Sequence, residues 1–202
     1  MQEYVVNTFP NYGFIQSEFA DGDLAPIKKE ILELEDAQQE LRSSGRRMIQ
    51  RSYNLSKSKH HAEKILLPYV SAYLNTFGYE SEINYLTNGA PLVLDDLMVN
   101  FLDRHESEPP HKRDGIFSFV IWIDIGLKVS PSFIKPSETK APSFSLYYTD
   151  VLGNLKEYGI PVNEEWMNNF ILFPSGLYQG VRSCFMSETY RTSITGTFKF
   201  QV

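Results

Sequence analysis

The spacing of apolar side chains changes character near residue 80. Leu24, Ile27, Ile31, Leu34 and Leu41 recur at intervals of three, four and seven, one stripe of an amphipathic helix. Asp23 stands where an N-cap is expected. Pro26 falls in the first turn, where its missing N–H removes no hydrogen bond. Ser43-Ser44-Gly45 ends the stripe. A second stripe runs through Ile65, Leu66, Tyr69, Val70, Tyr73, Leu74 and Phe77, with Gly78 as its C-terminal cap. Pro68 lies inside it, which predicts a kink or a late start.

Short runs separated by turns follow. Strands are expected at Glu82–Leu86, Leu92–Leu102, Ile116–Ile125, Ser143–Thr149, Leu155–Val162, Phe170–Phe173, Gly180–Phe185 and Arg191–Gln201. Alternation is clearest where Phe117, Phe119, Ile121 and Ile123 interleave with Ser118, Val120, Trp122 and Asp124. Thr149 to Asn154 supplies hairpin-turn residues, and Ser130–Pro142 reads as an exposed loop. The pattern predicts an α+β, mainly β chain. A helical part (1–79) supports a jelly-roll-like β domain (80–202), with the helices packed outside one sheet.

Composition narrows the function classes. The chain is 42% hydrophobic and 14% aromatic, enough for a substantial core, and its 14 Phe and 12 Tyr suit half-buried strands. A net charge of −6 gives no global attraction to nucleic acid. The basic run Arg42, Arg46, Arg47, Arg51, Lys57, Lys59 is either a solvated linker or a contact for phosphate or an acidic partner. Cys184 is the one cysteine, which excludes an internal disulfide and a cysteine-based zinc site; a buried thiol is expected. No run approaches the roughly 18 apolar residues of a membrane helix. Met1–Asn11 lacks the pattern of a signal peptide, so a soluble, non-exported protein is expected. His60 and His61 are adjacent, point apart on a helix and read as surface residues. There is no nucleophile elbow, phosphate loop or zincin motif.

Three segments carry a resemblance to a known family. They are Asp96-Leu97-Met98-Val99-Asn100-Phe101; Pro109-Pro110-His111-Lys112-Arg113-Asp114-Gly115-Ile116-Phe117-Ser118-Phe119-Val120-Ile121-Trp122; and Ile171-Leu172-Phe173-Pro174-Ser175-Gly176-Leu177-Tyr178-Gln179-Gly180-Val181, continuing at Tyr190-Arg191-Thr192-Ser193-Ile194-Thr195-Gly196. Together these resemble the small 2-oxoglutarate/Fe(II) oxygenases encoded by tailed phages, across roughly the last 110 residues. The resemblance implies a double-stranded β-helix, a jelly-roll or cupin-like barrel. It also implies a mononuclear Fe(II) held by two imidazoles and a third ligand, with open positions for 2-oxoglutarate and O₂. On this sequence the ligand positions would be His111, 113 and 179. Arg191 and Ser193 would receive the distal carboxylate of 2-oxoglutarate.

The sequence departs from that pattern at the metal. Position 113 is Arg, which has no lone pair to offer and does not lose its proton. Position 179 is Gln, and the four histidines, His60, His61, His105 and His111, leave none after residue 111. A guanidinium about 4 Å from a metal repels each unit of its charge by roughly 4 kcal/mol at an effective dielectric of 20. Asp114 is the candidate to rebuild a site with His111 and Gln179, and Glu106 and Glu108 precede the histidine in an expected loop. The expectation is therefore no metal and no cofactor, with Fe(II) and 2-oxoglutarate as the alternative. Arg191 either still binds a dicarboxylate or has become a structural partner for a carboxylate such as Asp124. By resemblance, the protein is expected to be a non-catalytic virion or assembly component. It would contact itself or other phage proteins, in the virion or the host cytoplasm, with no membrane or nucleic-acid partner.

Overall fold

The computed structural model describes residues 13–43 (37–43 as backbone only), 52–77, 89–102, 106–125, 143–150, 152–182 and 191–201. Several expectations fall outside these: Gly78 as a cap, the strand at Glu82–Leu86, the loop Ser130–Pro142, His105, Cys184, Arg46, Arg47, Arg51 and the Arg42 side chain.

A short strand, β1 (Ile15–Glu18), leads into α1 (Asp21–Ser43). The helix starts earlier than expected, so Asp23 lies in its first turn instead of capping it. The Asp23 N–H donates to the Ala20 carbonyl at 2.9 Å. Asp21 and Asp23 complement the positive end of the helix dipole. Leu24, Ile27 and Ile31 are buried, and Leu34 packs partly against the same core.

Next come β2 (Ser52–Asn54) and α2 (Lys59–Phe77). α2 begins well before its apolar stripe because a buried carboxylate organises its start. Glu30 of α1 accepts from the Lys57 N–H (3.0 Å), the Ser58 N–H (2.8 Å) and the Ser58 hydroxyl (2.6 Å). The Ser58 carbonyl then accepts the helical bond from the Ala62 N–H. Pro68 is tolerated inside α2 because it faces solvent, where water can reach the freed carbonyl one turn earlier.

The remaining strands are β3 (Leu92–Leu102), β4 (Glu108–His111), β5 (Phe117–Asp124), β6 (Ser143–Thr149), β7 (Leu155–Pro161), β8 (Asn169–Pro174), β9 (Tyr178–Val181) and β10 (Arg191–Phe200). They form two antiparallel sheets, of order β1-β8-β5-β10-β3-β2 and β4-β9-β6-β7. This is the expected mainly-β barrel of double-stranded β-helix type with helices outside one sheet. β1 and β2, from the helical first part, add the two edges of the larger sheet. Neither was read from sequence, being three or four residues long with little apolar content. β4 was hidden by Pro109 and Pro110.

Alternation sorts the larger sheet's two faces. Phe117, Phe119, Ile121, Phe170, Leu172, Ile194 and Phe198 join α1 and α2 in one core. Phe19 stacks on Phe170 (4.5 Å between centroids), and Tyr69 meets Phe170 edge-on. Val120, Trp122, Ile171 and Phe173 face the other way, onto Phe144, Leu146 and Ile160 of the smaller sheet. The space between the sheets is thus plugged by aliphatic and aromatic side chains at one end. The other end is polar.

Candidate functional site

The polar end is assembled from β4, β9, β10 and β3. β4 pairs with β9 so that His111 lies opposite Gln179 and Glu108 opposite Val181. The register is irregular between them, as Pro109 and Pro110 have no N–H to give the ladder. At Gly180 a Cβ would stand 3.2 Å from the Glu108 carbonyl, so glycine there lets the two backbones approach.

The pairing decides the chemistry of His111. Its Nδ1 lies 3.0 Å from the Pro109 carbonyl, which can only accept, so Nδ1 carries the proton. In the neutral ring Nε2 is then the acceptor, and it sits 3.0 Å from the Gln179 side-chain nitrogen, which donates to it. The imidazole lone pair that a metal would use is taken up by an amide N–H. Gln179 is 4% exposed, and its Oε1 is buried with no hydrogen-bond partner.

The other expected residues lie around this pair. Arg113 is half-buried, with Nη1 shielded from solvent and without a hydrogen-bond partner. Asp114 is exposed and contributes to raising the Lys199 ammonium pKa, an effect due first to Lys199's own bond to Asp95. Lys112 places its ammonium 4.6 Å above the Tyr178 ring. Asp124 is aligned with Thr192 on β10. Of the basic run, Lys57 pairs with Glu33 of α1 and Lys59 donates to the Asp95 carbonyl of β3, so the first ties the start of α2 to the other helix and the second ties it to the sheet. His60 is exposed, and the His61 ring lies 2.6 Å from the Asp23 carbonyl.

β10 supplies the cation. Ile194 and Phe198 face the helices, so Arg191, Ser193 and Thr195 line the barrel interior. Arg191 is 6% exposed and donates through Nη2 to the Arg182 carbonyl. Asn100 of β3, opposite Ser193, donates to the Thr195 hydroxyl at 2.9 Å and accepts from Ser52 at 2.7 Å. These residues, with Gln179 and Glu108, surround a cavity of about 40 Å³ walled on the far side by Trp122 and Phe144. Asn100, Leu102 and Glu108 also border an outer groove of about 470 Å³, which Glu106 and Ser107 help to line. Sequence reasoning missed Asn100 and Thr195, although a lone amide at an inward position of an apolar strand was a usable signal. It placed Glu108 in a loop instead of on β4.

Iron does not fit this donor set. One imidazole is present, its accepting nitrogen engaged by Gln179, and Arg stands at the second ligand position. Among the described residues, no three of His, Cys, Asp and Glu converge as a metal would require.

No protein-family model matches the sequence, and neither does any curated protein. Solved structures do match the fold. A prolyl-4-hydroxylase of Pseudomonas putida superposes with a TM-score of 0.53 at 16% identity, covering 95% of this chain and 90% of that one. A non-heme α-ketoglutarate-dependent carbocyclase, SnoK, from nogalamycin biosynthesis gives 0.53 at 10%, covering 93% and 79%. A prolyl hydroxylase from Trichoplax adhaerens, solved with a hypoxia inducible factor peptide, gives 0.51 at 12%, covering 94% and 84%. The architecture is that of the 2-oxoglutarate/Fe(II) oxygenase fold. At these identities the likeness extends to the fold alone. No helix among the described residues is long and apolar enough to cross a membrane.

Proposed function

We propose that this chain is a non-catalytic binding or assembly protein that uses the oxygenase fold as a scaffold. The observation that carries the reading is the Gln179–His111 hydrogen bond, which spends the imidazole acceptor on an amide. Arg113 supports it, since a fixed positive charge stands where a carboxylate or imidazole would be needed. Its resemblance to phage proteins supports a role as a virion structural or assembly component acting through protein–protein contacts with itself or with other phage proteins. The test is turnover: purified protein with Fe(II), ascorbate and 2-oxoglutarate releases no succinate above a no-protein control. Iron-dependent succinate release, abolished in His111→Ala, would establish the alternative of an active dioxygenase with an atypical metal shell.

A second reading is favoured by Arg191. A buried guanidinium beside the Ser193 hydroxyl and the Asn100 amide is equipped to hold a carboxylate without metal. In this reading the barrel is a metal-free carboxylate-binding module. Carboxylates at millimolar concentration would raise the melting temperature with chelator present, and Arg191→Ala would remove the shift.

A further inference from the structure

Sheet edges are where a β protein is open to other chains, and the described edges differ. β1 and β2, at the edges of the larger sheet, are four and three residues long. β4, at one edge of the smaller sheet, contains Pro109 and Pro110 and meets β9 in an irregular register. Short strands, proline and broken register all blunt an edge. β7 is different. It pairs with β6 over seven residues in unbroken register, and its one proline is its last residue. Among the described residues no strand lies beyond it. Its two charges are turned to the chain itself: Lys156 lies 3.7 Å from the Asp150 carboxylate, and Glu157 accepts from Arg182 and Ser145.

The ladder shows which backbone groups face outward. The Arg182 N–H donates to the Ser143 carbonyl on the β9 side, and the Asp150 N–H donates to the Asn154 carbonyl on the β7 side. Bonding alternates along an antiparallel strand, so Phe144, Leu146 and Tyr148 bond to Ile160, Tyr158 and Lys156. Leu155, Glu157 and Gly159 therefore turn their N–H and C=O groups outward, together with the Pro161 carbonyl. Along this edge Leu155 is 67% and Tyr158 50% exposed, with Phe14 packed on Tyr158 at 5.4 Å between ring centroids.

We propose that β7 pairs antiparallel with β7 of a second copy about a twofold axis at Tyr158, joining the two four-stranded sheets into one. This rests on the assembly reading above and names its partner. Charge selects the register. An axis at Lys156 sets two ammoniums opposite each other, and one at Glu157 sets two carboxylates opposite, both unfavourable. An axis at Gly159 leaves Leu155 against Asn163. With the axis at Tyr158, Glu157 faces Gly159, Leu155 faces Pro161, Lys156 faces Ile160, and the two tyrosines meet. Every outward N–H of β7 then finds a carbonyl: Leu155 that of Pro161, Glu157 that of Gly159, and Gly159 that of Glu157. Pro161 has no N–H, which leaves only the Leu155 carbonyl unpaired, at the end of the ladder.

Sedimentation velocity across micromolar concentrations reads the association, and we expect a monomer–dimer equilibrium. A Cβ added at Gly159 meets nothing within 4 Å, so variants there should keep the melting temperature of the parent. Gly159→Glu, placed opposite Glu157 of the other copy, should weaken the dimer at least tenfold, and Gly159→Lys should tighten it. In a Cys184→Ser background, Tyr158→Cys treated with oxidised glutathione should give a disulfide-linked dimer, whereas Tyr148→Cys on β6 should not. A monomer at every concentration, a dimer that both Gly159 variants shift alike, or no crosslink through position 158 would overturn the pairing. None of these outcomes changes the iron-dependent succinate assay, so failure of this contact is told apart from failure of the non-catalytic reading.

Discussion

At the scale of single residues, one hydrogen bond decides how the site is read. His111 keeps its place at the strand end, but its two nitrogens are committed in opposite senses, Nδ1 to the Pro109 carbonyl and Nε2 to Gln179. We therefore expect ¹⁵N NMR of the imidazole to report the neutral Nδ1–H tautomer; a ring protonated at Nε2 alone would contradict the geometry. The substitutions at 113 and 179 were visible in the sequence, because a histidine count settles which ligands are available. What replaces them was not visible. That Gln179 donates rather than accepts follows from the Pro109 carbonyl across the ring, and no spacing rule shows that contact. Glu30 is a comparable case. It is 7% exposed and ties down the turn before α2, a role that no spacing in the sequence marks. Glu30→Ala should cost about 2–3 kcal/mol in chemical denaturation, the scale of bonds to a charged acceptor.

At the scale of elements, patterning worked where a segment is long and has one clear face. β3, β6 and β10 were legible because each runs seven or more residues with alternating or continuous apolar character. β4 was not, since a Glu-Pro-Pro-His segment has no alternation and only two residues with a ladder N–H. It is held by its partner β9 rather than by its own propensity, and it is the element that brings Glu108 and His111 to the site. The β6–β7 hairpin shows local turn chemistry that was legible. The Asp150 carboxyl is held below its ordinary 3.8 first by the Asn154 backbone N–H, with further help from the Leu152 N–H. A depressed carboxylate stabilises the turn fully above that ordinary value and loses this contribution as the pH falls through its lower folded value. The Leu152 and Asn154 amide resonances should accordingly shift together below about pH 4. On β10, Gly196 lies where a Cβ would stand 2.4 Å from the Asp96 carbonyl and 2.6 Å from the Phe119 ring. Gly196→Ala should destabilise by about 1–3 kcal/mol or more, a cost of overpacking read in thermal unfolding.

At the scale of the whole molecule, an oxygenase-type barrel is combined with a polar end whose donor set, among the described residues, does not fit a metal. The fold class could be read because its layers follow from period changes along the chain and from family-like segments near the last strands. The pairing of β1 with β8 and of β2 with β3 could not, because strands of three or four residues leave no periodic trace. Likewise, Trp122 meets both Phe144 of the smaller sheet and Trp166 edge-on, a tertiary event. The most direct test of the central claim is anaerobic titration of the purified, metal-stripped chain with Fe(II), with and without 2-oxoglutarate, followed by metal analysis after desalting. We expect no stoichiometric iron to be retained under either condition. One equivalent retained at micromolar concentration, and lost in His111→Ala, would contradict the metal-free reading.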